Sequence, residues 1–302
     1  MAGRYWTTVL AASVGLLMAW SLAGHQADAF PVNEWEPLRD SASVAAIAET
    51  LHAGAPWREP TSGMAFVWMP EGCFRMGNAN SEDRDHDEGP VHDVCLSGFW
   101  LGQHEVTQGE WRQVMHNNPA QFRRGDDYPV ERVSWDDAEM FIGKMNRLYE
   151  GRLLFRLPTE SEWEYSCRDG GHDVRYAGGG DADRVAWYQH NSGGSPQRHS
   201  SRAANHLGLA DMSGNVWEWV HDSYRGDGYS KHGRDNPVWA GETVYRVIRG
   251  GAWNTPVAAV RCANRGFESF ISKKPDIGLR LVVTLPKKGE NRGRPSLKDL
   301  PL

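Results

Sequence analysis

Asp211 and Glu218 stand seven positions apart in Gly208-Leu-Ala-Asp-Met-Ser-Gly-Asn-Val-Trp-Glu-Trp219, with Ser213, Gly214 and Asn215 between them. Small, turn-forming residues between two carboxylates let the backbone fold back, so that side-chain and carbonyl oxygens can wrap a calcium-sized cation. On residue types alone the same run also reads as a tight turn entering a Trp-rich strand. Other groups with chemical capacity are thinner. Ser81–Gly89 carries five carboxylates, but a charge run is more often a solvated face. His172, His190, His199 and His206 lack the His-x-x-x-His spacing of a helical metal site and read as loop residues. His221 with Asp222 comes nearest to a redox-metal pair, and surface pairing explains it equally well.

The thiols are the remaining reactive groups. The chain has four cysteines and no Cys-x-x-Cys, and an even count favours disulfides if the protein is exported. Residues 1–29 predict that export. Arg4 gives a positive start, Thr7–Gly24 is mostly apolar, and Ala27-Asp28-Ala29 offers a small-residue cleavage site. No later stretch is apolar enough to span a bilayer, so no membrane contact is expected after cleavage. A net charge of −6, with no Lys/Arg stripe and no phosphate-cradling Gly-rich motif, argues against a nucleic-acid or nucleotide binder.

Among 302 residues, 14 Trp, 33 Gly and 16 Pro point to a loop-rich α+β domain pinned by aromatic anchors. An N-terminal extension and linker are expected over 30–63, the domain over 64–284 and a disordered tail over 285–302. Met64–Pro70, Val91–Trp100, Thr243–Gly250, Ala258–Ala263 and Ile277–Val283 read as strands. Strands around Cys73 and Cys95, joined by a loop, would bring those thiols within bridging range. Thr107-Gln-Gly-Glu110, Ser134-Trp-Asp-Asp137 and Thr159-Glu-Ser-Glu162 carry the capping-box pattern of helix starts. The helix after Ser134 places Ala138, Phe141, Ile142, Met145 and Leu148 on one buried face. Ser43–His52 has the spacing of a further amphipathic helix.

Several strings then coincide in order. Arg156-Leu-Pro-Thr-Glu-Ser-Glu-Trp-Glu-Tyr-Ser-Cys-Arg168, Gly208–Trp219, Arg249-Gly-Gly-Ala-Trp253 and Asp276-Ile-Gly-Leu-Arg280 resemble the formylglycine-generating enzyme, or sulfatase-modifying factor, family. Trp100-Leu-Gly-Gln-His-Glu-Val-Thr107 and Pro129-Val-Glu-Arg-Val-Ser-Trp135 are similar to its first half. The resemblance implies an irregular, turn-rich α+β fold related to the C-type lectin fold. It implies structural calcium held by Asp211, Gly214, Val216 and Glu218, and a Cys167–Cys262 disulfide. A second family calcium site, before the central turn, lacks its donors in this sequence.

The resemblance fails at the family's active site, where two cysteines bind copper(I), a soft ion that selects thiolates. Thr255 stands where the first thiol belongs, and the second is missing. Two expectations follow. One is an exported oxidoreductase-like maturation factor, acting on an envelope or siderophore-type substrate without copper–cysteine chemistry, in a cleft lined by Trp253, Asn254, Thr255 and Arg265. The other is a non-catalytic, calcium-stabilised module that binds a peptide, a glycan or an envelope enzyme.

Overall fold

In the computed structural model, residues 55–80 and 84–286 are described, together with Ile47 and Leu51. The predicted signal peptide, most of the extension, residues 81–83 of the acidic loop and most of the tail lie outside the described residues. Ile47 and Leu51 are helical, and Leu51 is fully buried.

Three sheets organise the chain. The largest runs β1-β2-β5-β11-β6, where β1 is Trp57–Arg58, β2 Ala65–Met69, β5 Phe99–Gly102, β6 Leu154–Arg156 and β11 Val282–Thr284. A second runs β10-β7-β8-β9, from Ile277–Leu279, Trp217–Ser223, Tyr245–Arg249 and Arg265–Ser269; its β10–β7 pair is parallel. The third is the hairpin of β3 (Gly72–Met76) and β4 (His92–Leu96). Helices α1 (Gln108–Met115), α2 (Trp135–Leu148) and α3 (Glu160–Cys167) are joined by the short α4 (Ala182–Val185). The architecture is α+β and turn-rich, as expected.

Each of the three predicted helix starts forms its capping box: Thr107 with Glu110, Ser134 with Asp137 and Thr159 with Glu162. The reciprocal bonds satisfy orphan N–H groups at each N-terminus. Helix α2 buries Ala138, Phe141, Ile142, Met145 and Leu148, the stripe its spacing predicts, against a core that includes Trp111, Phe155 and Trp219.

Three strand expectations are corrected, and one strand falls where none was expected. The linker stretch contains β1, whose Trp57 is buried and stacks on Phe66. Val91–Trp100 is two strands, because the chain turns at Ser97–Gly98, where Trp68 leaves no room for a Cβ. Ile277–Val283 divides into β10 and β11, which belong to different sheets, and the Arg280 side chain turns into the interior between them. Ala258–Ala263 is no strand. Pro256 opens a 3-10 turn over Val257–Val260, and pairing begins only at Arg265.

Candidate functional site

The central turn is built from left-handed backbone at Asp211, Gly214 and Asn215, with φ of 57°, 83° and 67°. Gly214 is required there, since a Cβ would lie 2.1 Å from the Trp187 carbonyl oxygen. Glu105, fully buried after β5, clasps the turn: Val216 N donates to its Oε1 at 2.9 Å and Asn215 Nδ2 to its Oε2 at 2.6 Å. Glu218 receives Trp163 Nε1 at 2.8 Å and Arg280 through Nε and Nη2 at 2.7–3.2 Å. Arg280 also donates to the Gly102 and Ala210 carbonyls. Asp211 accepts Ser200 N at 2.6 Å.

Arg280 bonds Glu218 and also feels the charges of Glu105 and Asp211, so three buried carboxylates face one guanidinium. Burial, then Asp211 and Glu218, push Glu105 well above the carboxylate range. Burial, with Glu218 adding to it, pushes Asp211 up to about 6. These hard oxygens are the kind calcium selects, and the surplus negative charge suits a cation. The fit is partial, because Arg280 already engages both Glu218 oxygens. Among the described residues, no group of three or more His, Cys, Asp or Glu side chains is placed to hold a metal. The expected calcium set, with two side chains and two carbonyls, is not of that kind.

Beside the turn, the His104 and His199 rings stack at 3.8 Å, and His104 Nε2 lies 4.0 Å from Glu110. Burial lowers His104 to about 4. Its neutral form is the one that folds, so the unfolded chain takes up the proton first as pH falls below 6.5. Stability from this group is whole above pH 6.5 and is lost down to about pH 4. Because the raised carboxylates shift stability the opposite way, the prediction is a difference. Between pH 6.5 and 4 the parent should lose about 3 kcal/mol relative to His104→Gln. Urea unfolding of both proteins at the two pH values measures it, and parallel losses would refute it.

Three of the four expected cleft residues come together. Trp253 N donates to the Asn215 carbonyl, tying this loop to the central turn. Trp253 Nε1 donates to Pro275 O at 3.2 Å, and its ring meets the Phe122 ring edge-on at 5.3 Å. Asn254 Nδ2 donates to Asp276 Oδ2 at 2.9 Å. The Thr255 hydroxyl donates to Ala252 O at 2.9 Å and accepts Ala252 N at 3.0 Å, closing a turn.

Arg265 is not with them. It is buried on Glu160, with Nε to Oε1 at 2.7 Å and Nη2 to Oε2 at 2.9 Å, and its centre lies 4.3 Å from the Tyr229 ring. It belongs to an interior ion network in which Glu164 receives Arg168 and Arg249. Burial opposes ionisation there, yet the arginines hold Glu160 and Glu164 below the ordinary carboxylate range. The His221–Asp222 pair also separates by role. Asp222 caps α3 by accepting Glu160 N and also takes Trp239 N, while the His221 ring lies 6.3 Å from Trp135.

The thiols are all engaged. Cys73 and Cys95 are opposed across β3–β4 and bridged, and Cys167 is bridged to Cys262. No cysteine is free, so the residues present do not fit copper(I) held by a thiolate pair. Glu105, Arg249 and Arg280, which hold the turn and the interior ion network, were not singled out by residue type or spacing. All three sit in the strings that carry the family resemblance, and that was their only signal.

Over residues 53–285 the chain matches the Sulfatase-modifying factor enzyme 1-like domain. It is 29% identical over 266 residues to the chaperone protein LppX of Paenibacillus barcinonensis, covering 72% of this chain and 88% of that protein. It is 33% identical over 229 residues to the serine/threonine-protein kinase Pkn1 of Chlamydia trachomatis, covering 66% of this chain but only 35% of the kinase. It superposes on PvdO from Pseudomonas aeruginosa with a TM-score of 0.67 at 25% identity, over 77% of this chain and 98% of that one.

Proposed function

The chain belongs to the sulfatase-modifying factor family, and from that premise we propose that it is an exported maturation or accessory factor. In this reading it engages an envelope protein, peptide or small-molecule substrate at the Trp253–Thr255 turn, without copper–thiolate chemistry. One observation carries it: all four cysteines are bridged, and the hydroxyl standing in for the catalytic thiol closes a turn on Ala252. Two disulfides fit a non-cytoplasmic protein. Among the described residues no helix is long and apolar enough to cross a membrane. LppX, of which the chain covers 88%, is named a chaperone, which suits an accessory role. An oxidoreductase using other residues is less favoured, because Arg265 and Asp222 are committed to the interior.

The test is incubation of the mature protein with a Cys-x-Pro-x-Arg peptide, copper, oxygen and a thiol reductant, read by mass. No formylglycine above the metal-only blank is expected. Product at an enzymatic rate would sink the proposal.

Calcium at Asp211, Gly214, Val216 and Glu218 is part of the same reading, supported by the surplus of buried carboxylates around Arg280. A cation binding only the folded state stabilises it by about 2.7 kcal/mol at a hundredfold excess over Kd. Calcium should therefore raise the melting temperature of the parent and leave Asp211→Asn unmoved. A parent indifferent to calcium and to chelator returns this segment to an ordinary turn.

A further inference from the structure

Behind the Trp253–Asn254 turn, two carboxylates from different loops each keep a buried oxygen with no hydrogen-bond partner. They are Glu131 Oε2 and Asp276 Oδ1. Glu131 is 0% exposed. Its other oxygen accepts Phe122 N at 2.7 Å. The other oxygen of Asp276 accepts Asn254 Nδ2. The loops are brought together by the backbone bond from Arg132 N to Lys274 O at 2.9 Å. Asp276 lies near enough to help burial raise the Glu131 carboxyl, to about 7. Leaving a buried acceptor unsatisfied costs about 1–3 kcal/mol, and such atoms in a native protein call for an explanation. Neither oxygen serves the helix caps or the interior ion network.

Asp276 Oδ1 and, when ionised, Glu131 Oε2 are acceptors, so one donor satisfies both, and two acidic groups favour a positively charged donor, whose charge would hold Glu131 ionised. Trp253 and Phe122, in edge contact beside them, add aromatic surface that attracts cations. The open oxygens belong to separate carboxylates rather than to one carboxylate fork. A planar guanidinium matches a fork, whereas an ammonium is a compact charge with three rotatable donors. We propose that this site takes a primary ammonium group of the substrate, seated against Trp253 and donating to Glu131 and Asp276. The proposal rests on reading the 253–255 turn as the substrate surface. Either a lysine side chain of a peptide or a small-molecule amine has the required chemistry.

The experiment is calorimetric titration of the intact mature protein with butylammonium, butylguanidinium, butanol and a blocked lysine amide. Butylammonium and the lysine amide should bind, butylguanidinium at least tenfold more weakly, and butanol not at all. Glu131→Gln and Asp276→Asn should each weaken ammonium binding at least tenfold while keeping the parent's melting temperature within a few degrees. Asp276, only half-buried, serves should Glu131→Gln fail to fold. Tighter binding of the lysine amide assigns the site to a peptide, and tighter binding of butylammonium to a small molecule. No binding by either amine, equal binding by the guanidinium, or unchanged affinity in folded variants would each overturn it. None of these outcomes bears on the copper assay, so this inference can fail while the proposed function stands.

Discussion

Arg249→Met should lose about 3–5 kcal/mol of folding stability, enough to unfold a marginal domain. The Arg249 side chain is fully buried over the Trp163 ring. Its guanidinium holds the Glu164 carboxylate and donates to the carbonyls of Cys262, Ala263 and Asn264. Removing it leaves three carbonyls short of a donor and leaves Glu164 to Arg168, Gly77 N and the Tyr229 hydroxyl. The cost arises mainly from stranding buried partners rather than from the net worth of an ion pair. The exposed Arg75–Asp93 pair, 3.6 Å apart and about 70% exposed on each side, is the control. Arg75→Ala should change stability by no more than about 0.5 kcal/mol. Urea unfolding of both variants decides the matter, and similar losses would mean that the interior network contributes nothing special.

The local rules carried most of what was legible. A hydroxyl three residues ahead of a carboxylate is a complete signal, because both capping bonds form within one turn. The three helix starts could therefore be placed from the sequence. The buried stripe of α2 needed only the 3.6-residue period. Strand boundaries were harder, since Ser97–Gly98 and Arg280–Leu281 sit inside apolar runs that continue on either side. What breaks the first is Trp68, distant in sequence, and what breaks the second is Glu218. Neither contact leaves a local mark.

The site divides along the same line. Thr255 marked the missing thiol from its position in a motif alone, and its hydroxyl closes a turn. Arg265 was expected in the cleft through the resemblance, but its partner Glu160 lies 105 residues away. The resemblance singled out Asp276 only as part of a motif, and Glu131 likewise. Their nearness depends on two segments distant in sequence that meet through the backbone bonds from Arg132 N to Lys274 O and from Trp135 N to Phe270 O, which no spacing rule reports.

The Cys167–Cys262 bridge should be the more valuable of the two disulfides. It spans 95 residues against 22 for Cys73–Cys95. Closing the longer loop restricts the unfolded chain more, by about 4.7 kcal/mol against about 3.4 in the chain-entropy account. Its effect also reaches the interior, because Cys262 O is one of the acceptors of Arg249. Replacing both cysteines of each bridge by alanine should therefore cost more for 167/262 than for 73/95. Access to reductant should run in the reverse order. Cys73 is exposed and Cys95 half-buried, whereas Cys167 and Cys262 are fully buried, and thiol exchange needs access. Mild dithiothreitol under native conditions should open 73/95 first with little loss of structure. Opening 167/262 should require unfolding, and should follow the urea transition when alkylated thiols are mapped by mass. Release of Cys167 and Cys262 from the folded protein, ahead of Cys73 and Cys95, would show that α3 opens without global unfolding. The ion network could not then be the rigid centre that its burial and pairing imply.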